Sequence, residues 1–356
     1  MPLTTAVSDC PQPAPRVCCR CGALSNSPYR FMHPFFNIAD WRKQIKNALS
    51  RCLILGTAVS ALFSLTGYLG GYHLYLELTS HFKLQYLATC CLALIFFSFT
   101  RKKVWCLVSL FCIALNLAAI VPWYIPQPKS AGTPAGLELR FFLANVLTSN
   151  RRYQDVLSLI QEEKPEIAVF LEVNETWAKR LDPLRDILPY SLVYPREDNF
   201  GIALYSSLPL QNKTVQLFRN EIPSLSASVT WQGKVISILA THPLPPISQG
   251  YFEWRNSQIK ELSQYLQQLK TPKVVLGDLN MTVWSPYYKS FVEKTKLHNS
   301  RTGFGILPTW PAQSPLLLIP LDHCLVSEGI QVLHTRTGRN VGSDHLPLIT
   351  DTVILQ

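Results

Sequence analysis

The sequence predicts an α/β sandwich preceded by three membrane-spanning helices. Two observations carry this reading. Long uncharged apolar runs are confined to the first third of the 356-residue chain, and the remainder alternates strand-like and helix-like segments with several strands in succession. The length suits one domain of about 200 to 250 residues with something attached to it. Four segments are expected: a cytoplasmic tail over 1–50, a membrane domain over 51–126, a linker over 127–137 and a globular domain over 138–356.

Cys52 to Tyr72, Leu84 to Thr100 and Val104 to Pro128 contain no charged residue. A helix needs roughly 17 to 25 apolar residues to cross a bilayer, so all three runs qualify, the second only just, with Lys83 and Arg101 placed to snorkel. Trp123 and Tyr124 at the end of the third run suit a membrane interface. The net charge of +10 is distributed unevenly. Residues 1–135 hold 12 Lys/Arg against 3 Asp/Glu, whereas 136–356 hold 21 against 20. A nucleic-acid-binding domain would carry the excess itself. Here it sits beside the apolar runs, in Arg42, Lys43, Lys46 and Arg51 and again in Arg101, Lys102 and Lys103. The positive-inside rule makes both groups cytoplasmic, and three crossings then place the globular domain outside the cell membrane.

Nine of the ten cysteines lie before the globular domain, which holds only Cys324, so no disulfide can form within it. Cys18-Cys19-Arg20-Cys21 lacks a second ligand pair at zinc-finger spacing. Residues 1–31 would fall away if translation began at Met32, and no cleavable signal precedes the first apolar run. Gln127–Gly136, rich in Pro, Ser, Ala and Gly, reads as a linker.

In the globular domain strands are expected at 139–146, 166–173, 191–194, 201–205, 225–231, 235–242, 273–276, 322–326 and 347–353. Helices are expected at 152–163, 175–188 and 255–269, the last because Ile259, Leu262, Leu266 and Leu269 recur at helical spacing. The chemistry-bearing residues stand at strand ends. Glu172 follows the run Ile167–Leu171, and a carboxylate leaving a buried strand is costly unless paired or bound to a metal. Asn145 ends a similar run and offers a hard amide oxygen suited to Mg²⁺ or Mn²⁺. In Gly277-Asp278-Leu279-Asn280 the two polar side chains share a face if the backbone stays extended. One could then orient water while the other bonds a phosphoryl oxygen; an Asx turn is the structural alternative. His242 ends the run Val235–Ala240 and is followed by Pro243. The pair Asp344-His345 offers a metal-binding carboxylate and a proton-moving imidazole. Asp322 could hold His345 in one tautomer, while His323 alternates to the opposite face.

The ordered set Asn145, Glu172, His242, Gly277-Asp278-Leu279-Asn280, Asp322-His323 and Ser343-Asp344-His345 resembles the endonuclease/exonuclease/phosphatase superfamily, over about residues 138–354. Asp198-Asn199-Phe200-Gly201, Thr309-Trp310-Pro311 and His242-Pro243-Leu244-Pro245-Pro246 are similar to its membrane-anchored bacterial subgroup. The resemblance implies a four-layer α/β sandwich of two packed mixed sheets flanked by helices. It implies Glu172 as main metal ligand, assisted by Asn145 and Asp344, with Asp278 positioning water and Asn280 bonding the scissile phosphate. His345, paired with Asp322, would be the base or stabilise transition-state charge, and His242 would contact phosphate or protonate the leaving oxygen. His242 leans away from the abasic-site branch, and Leu147, where that branch carries an acid, weakens the case for a second metal.

The leading expectation is therefore a membrane-anchored, Mg²⁺- or Mn²⁺-dependent phosphoesterase acting on a lipid, envelope or nucleic-acid phosphodiester. An extracytoplasmic endonuclease is the alternative; it would need a local basic groove, with Arg151, Arg152, Arg196 or Arg255 in it, because the domain has little global excess charge. A non-catalytic binding module is the third reading, set against by the retention of every matched position.

Overall fold

The computed structural model describes residues 38–126, 138–218 and 221–355; most of the predicted tail, with its cysteine cluster, and the predicted linker lie outside them. Four helices come first: α1 (Ile38–Thr66), the short α2 (Leu74–Leu78), α3 (Lys83–Phe99) and α4 (Lys103–Ile120). Two of these stretches are long and apolar enough to cross a membrane, Asp40–Leu69 and Lys103–Tyr124. The third predicted span is corrected here. Its run forms the 17-residue α3, which at 1.5 Å per residue reaches about 25 Å, short of the roughly 30 Å hydrocarbon layer. Lys83 does not snorkel either. It is buried, donates to the Ser64 carbonyl at 3.0 Å and lies over the Tyr68 ring. Asn116 donates to Ser64 Oγ at 2.8 Å, so buried polar groups bind α1, α3 and α4 together. Leu55, Leu92, Phe99, Val104 and Leu107 remain exposed.

The globular domain begins with β1 (Glu138–Asn145), α5 (Tyr153–Glu163), β2 (Ile167–Leu171), α6 (Glu175–Arg180), β3 (Tyr190–Tyr194) and β4 (Ile202–Ser206). It continues with β5 (Gln211–Leu217), β6 (Pro223–Trp231), β7 (Lys234–Thr241), α7 (Gln249–Gln268), β8 (Lys273–Asp278) and α8 (Pro286–Thr295). The last strands are β9 (Leu297–Asn299), β10 (Asp322–Ser327), β11 (Ile330–Thr337) and β12 (Leu348–Ile354). They form two six-stranded mixed sheets, ordered β11-β12-β1-β2-β4-β3 and β5-β6-β7-β8-β10-β9. Each contains one parallel pair, β1 with β2 and β7 with β8.

The strand alternation explains the layers. Phe141 and Leu143 face the core between the sheets, against Ile238 and Leu276, while Phe142 and Ala144 face a second core closed by Val156, Ile160 and Trp177. The outer face of the second sheet packs Leu239, Val275 and Leu325 on Ile259, Leu262 and Phe291 of α7 and α8. This is the expected sandwich of two sheets flanked by helices. The helix expected at 175–188 ends at Arg180, because Pro183 admits only a short 3₁₀ turn over Asp182–Asp186. The edge strands β5 and β11, the short β9, and α8 are additional to the expected elements.

The bundle and the sandwich share a contact surface. Trp284 Nε1 donates to the Ala119 carbonyl at 3.1 Å, and the amides of Gly303 and Gly305 both donate to the Trp123 carbonyl at 2.9 Å. Arg255 and Glu77, neither with any exposed side chain, pair at 2.6 Å across it.

Candidate active site

The parallel pairs position the site. Within β1 and β2, Asn145 pairs with Leu171, so Asn145 and the residue after β2, Glu172, come together. In the other sheet Thr241 pairs with Gly277, which brings His242 beside Asp278, and Asp322 of β10 is opposite Asp278 itself. A Cβ on Gly277 would lie 2.1 Å from the Thr241 carbonyl oxygen, so only glycine permits this approach. Glu172, His242, Asp278, Asn280, Asp344 and His345 line a single cleft of about 680 Å³. Asn145 and Asp322, each 1% exposed, stand behind them.

His345 Nδ1 donates to Asp322 Oδ2 at 2.8 Å, which fixes the tautomer and turns Nε2 toward Asp278 Oδ2, 3.6 Å away. His242 Nε2 approaches the same oxygen at 3.5 Å. Burial by itself would lower the His345 pKa, but the Asp322 and Asp278 carboxylates overcome it and raise it to about 10. For His242 burial likewise lowers the pKa, and the hydrogen bond and charge of Asp278 raise it on balance. Burial would push Asp278 up; the charges of His345 and His242 hold it well below the usual carboxylate range. At neutral pH Asp278 is thus a carboxylate facing the His345 imidazolium, with His242, its pKa raised, on its other side. Asp322→Asn is expected to cut turnover by about 10² to 10⁴-fold, as misorienting the imidazole of a triad does. Steady-state kinetics of the purified variant checks this, and near-wild-type turnover would contradict it.

Glu172 has a different environment. Its backbone is left-handed, with φ of 61°, unusual for a non-glycine residue. Asn145 Nδ2 donates to one carboxylate oxygen at 2.8 Å and the Thr148 amide to the other at 3.3 Å. Asp344 accepts from Trp310 Nε1 at 3.0 Å. Among the described residues neither carboxylate forms a salt bridge, and two half-buried carboxylates facing one cleft fit a divalent ion with hard oxygen ligands. Asn145 stands beside Glu172: its Oδ1 accepts from the Leu147 amide at 3.1 Å and its nitrogen donates to Glu172. Asp278, Asp322 and His345 also bring one donor atom each within 4.8 Å of the others. The His345–Asp322 hydrogen bond uses Nδ1 and Oδ2 and leaves Asp322 Oδ1 without a partner, so this group could also hold a metal ion.

Asn280 corrects the expected extended backbone. Its φ is 51°, its amide donates to Asp278 Oδ1 at 2.9 Å, and its Nδ2 donates to the Pro243 carbonyl at 2.8 Å. The Asx turn and the site are one feature, since the turn places Asn280 on the cleft. His323 lies on the other face, buried, with Nε2 on the Met281 carbonyl at 2.9 Å and its pKa lowered to about 3 by burial. Of the arginines expected for a basic groove, Arg151 is exposed and donates to the Tyr153 hydroxyl at 2.9 Å. Arg255 is buried, Arg196 pairs with Asp198, and Arg152 pairs with Asp155. Three cleft residues, Leu78, His81 and Phe82, come from the helical bundle; no motif pointed to them.

Residues 139–345 match the model of the Endonuclease/Exonuclease/phosphatase family. The chain belongs to that family. It is accordingly a metal-dependent hydrolase of phosphate ester bonds. The human Nocturnin catalytic domain is similar in fold, at 21% identity and a TM-score of 0.52, covering 61% of this chain and 94% of that one. So are humanized D. rerio TDP2 (12% identity, TM-score 0.52, 61% and 99% covered) and the Bacteroides vulgatus endonuclease/exonuclease/phosphatase (18%, 0.52, 61% and 99%). No curated protein matches the chain.

Proposed function

We propose that this protein is a membrane-anchored phosphodiesterase that uses Mg²⁺ or Mn²⁺ to hydrolyse the phosphodiester of an amphiphile lying in the bilayer. The observation that carries the reading is the composition of the cleft: an acid–imidazole cluster at one side and, at the other, side chains from the apolar helical bundle. Glu172 and Asp344 would hold the ion, with Asn145 keeping Glu172 in place. When bound, the ion supplies charge neutralisation at the phosphoryl oxygens. The chain's own residues do the rest. Asp278 orients the attacking water and takes its proton as the new P–O bond forms, Asn280 and the protonated His345 bond non-bridging oxygens, and His242, in its protonated form, gives its proton to the leaving oxygen as that oxygen's bond to phosphorus breaks. With Arg255 buried and Arg196 paired with Asp198, fewer cations are left beside the cleft to neutralise a polynucleotide.

The test is hydrolysis by the full chain in lipid nanodiscs of phospholipid, sugar-phosphate, DNA and RNA substrates, with and without EDTA. EDTA-sensitive cleavage of the lipid phosphodiester is expected. Preferential cleavage of DNA or RNA would favour the endonuclease instead, and no cleavage of any substrate would reject the reading.

We propose further that the catalytic domain faces outward. Lys102 Nζ donates to Ser50 Oγ at 2.7 Å, so the basic stretch Arg101–Lys103 lies beside the first half of α1, whereas Ala119 and Trp123 touch the sandwich at the other end of α4. Basic ends favour the cytoplasm, and with α3 returning the chain inside the bundle between crossings by α1 and α4, this supports a catalytic domain on the outer side. A reporter fused after Gln356 is expected to be active only on the outer side; cytoplasmic activity would reverse the assignment.

A further inference from the structure

The connector between α1 and α3 is built into the cleft. Leu78 and Phe82, both half-buried, line it together with His81. The connector is held there by more than apolar contact. Glu77, next to Leu78, accepts from Arg255 Nη2 at 2.6 Å and from the Ser285 hydroxyl, and neither Glu77 nor Arg255 has exposed side chain. Arg255 Nη1 donates to the Asn280 carbonyl at 2.9 Å, which joins the connector to a residue of the site. His81 Nδ1 lies 3.0 Å from Thr282 Oγ1. Burial lowers the His81 pKa to about 4, so this side of the cleft carries no charge at neutral pH.

We infer that the connector Leu74–Phe82 is a substrate-selecting wall, in which Leu78 and Phe82 hold the alkyl group esterified to the phosphate. The inference rests on the phosphodiesterase reading and adds to it the side chains that choose the substrate. Three features favour an alkyl group here. The two apolar side chains are incompletely covered by the protein, they face the same cleft as Glu172, Asp278 and His345, and the connector follows directly on the apolar stretch Asp40–Leu69. A chain leaving the bilayer beside α1 would meet this wall before its phosphate reached the acidic cluster. A water-soluble phosphodiester would leave the wall wet.

The experiment compares the full-length protein with its Leu78→Ser/Phe82→Ser variant, in identical nanodiscs, for binding of monoalkyl phosphates from ethyl to octyl. Partitioning of the ligand into lipid is the same for both proteins and cancels in the comparison. Each buried methylene can tighten binding by up to about fourfold. The wild type is expected to gain with each added methylene and the variant to gain less than half as much, on a logarithmic scale. An identical chain-length dependence in both proteins would overturn the inference. If the double variant does not fold, Phe82→Ala alone in the same series decides it by the same criterion. Turnover of the matching dialkyl phosphates, measured in parallel, separates the two claims. A flattened binding series with no turnover by wild type would remove the phosphodiesterase reading and leave the wall standing.

Discussion

Glu172→Gln is expected to lower phosphodiester hydrolysis by about a thousandfold or more, since the charge stabilisation supplied by a bound cation is worth several kcal/mol and each 1.36 kcal/mol is tenfold in rate. The reasoning begins at the backbone. Glu172 sits in the left-handed region, a conformation that costs a non-glycine residue roughly 1–2 kcal/mol. Its carboxylate receives two neutral N–H donors and no cation. Strain and a half-buried charge with no salt bridge among the described residues are costs that a purely structural residue would have no reason to bear. Glutamine keeps the size and one acceptor oxygen but removes the charge that holds the ion. Thermal stability without metal should therefore be unchanged or raised while activity is lost. The measurement is kcat/KM across a Mg²⁺ titration, with a melting curve on each protein. Unchanged turnover would reject Glu172 as the ion's ligand, and a collapsed melting curve would show a structural role.

Much of the sandwich was legible because its strands are buried on both faces. Runs such as Ile167–Leu171 are continuous and apolar, and a strand with two cores to serve has no polar face to blur it. The strands that escaped are of another kind. β5 is an edge strand with mostly exposed polar residues, and the edge strand β11 carries Gln331, His334 and Arg336. The site was legible for a related reason. A charged or amide residue ending a buried strand stands out, which picked Asn145, Glu172, Asp278 and His242. Their partners did not stand out. Trp310 meets Asp344 through its indole N–H and Thr148 meets Glu172 through its amide and its hydroxyl, and the sequence offers nothing to say which carboxylate they meet. Asn280 was found through its neighbour Asp278, with the Asx turn as the alternative to an extended backbone; the sequence could not show that Asn280 Nδ2 meets the Pro243 carbonyl far away in the chain. Local apolar content also overstated α3, because length and the position of Lys83, rather than composition, decide whether a helix can span.

The connector shows the same limit most sharply, and it yields the second large effect. Glu77→Ala is expected to cost about 3–5 kcal/mol of stability, the usual penalty for leaving one member of a buried ion pair alone. Glu77 lay in the weakly charged segment between two apolar runs, where a solvated carboxylate would be unremarkable. The structure instead encloses it completely, with Arg255 and Ser285 on its two oxygens. Among the described residues Arg255 has no other carboxylate as a hydrogen-bond partner; it also donates to Asn256 Oδ1 and the Asn280 carbonyl. Removing Glu77 would strand a guanidinium with no route to water. Replacing both members by apolar residues, as in Glu77→Leu/Arg255→Met, should recover most of the loss, because buried ion pairs rarely outperform apolar packing in stability. Activity should not recover with it. The double variant still lacks the donor on the Asn280 carbonyl, so the turn that presents Asn280 to the cleft loses its anchor. Chemical denaturation in a fixed detergent reads the first effect and kcat the second. Full recovery of both would mean that the ion pair only fastens the bundle to the sandwich. Recovery of stability with depressed kcat would mean that the helical bundle reaches into the chemistry through Arg255.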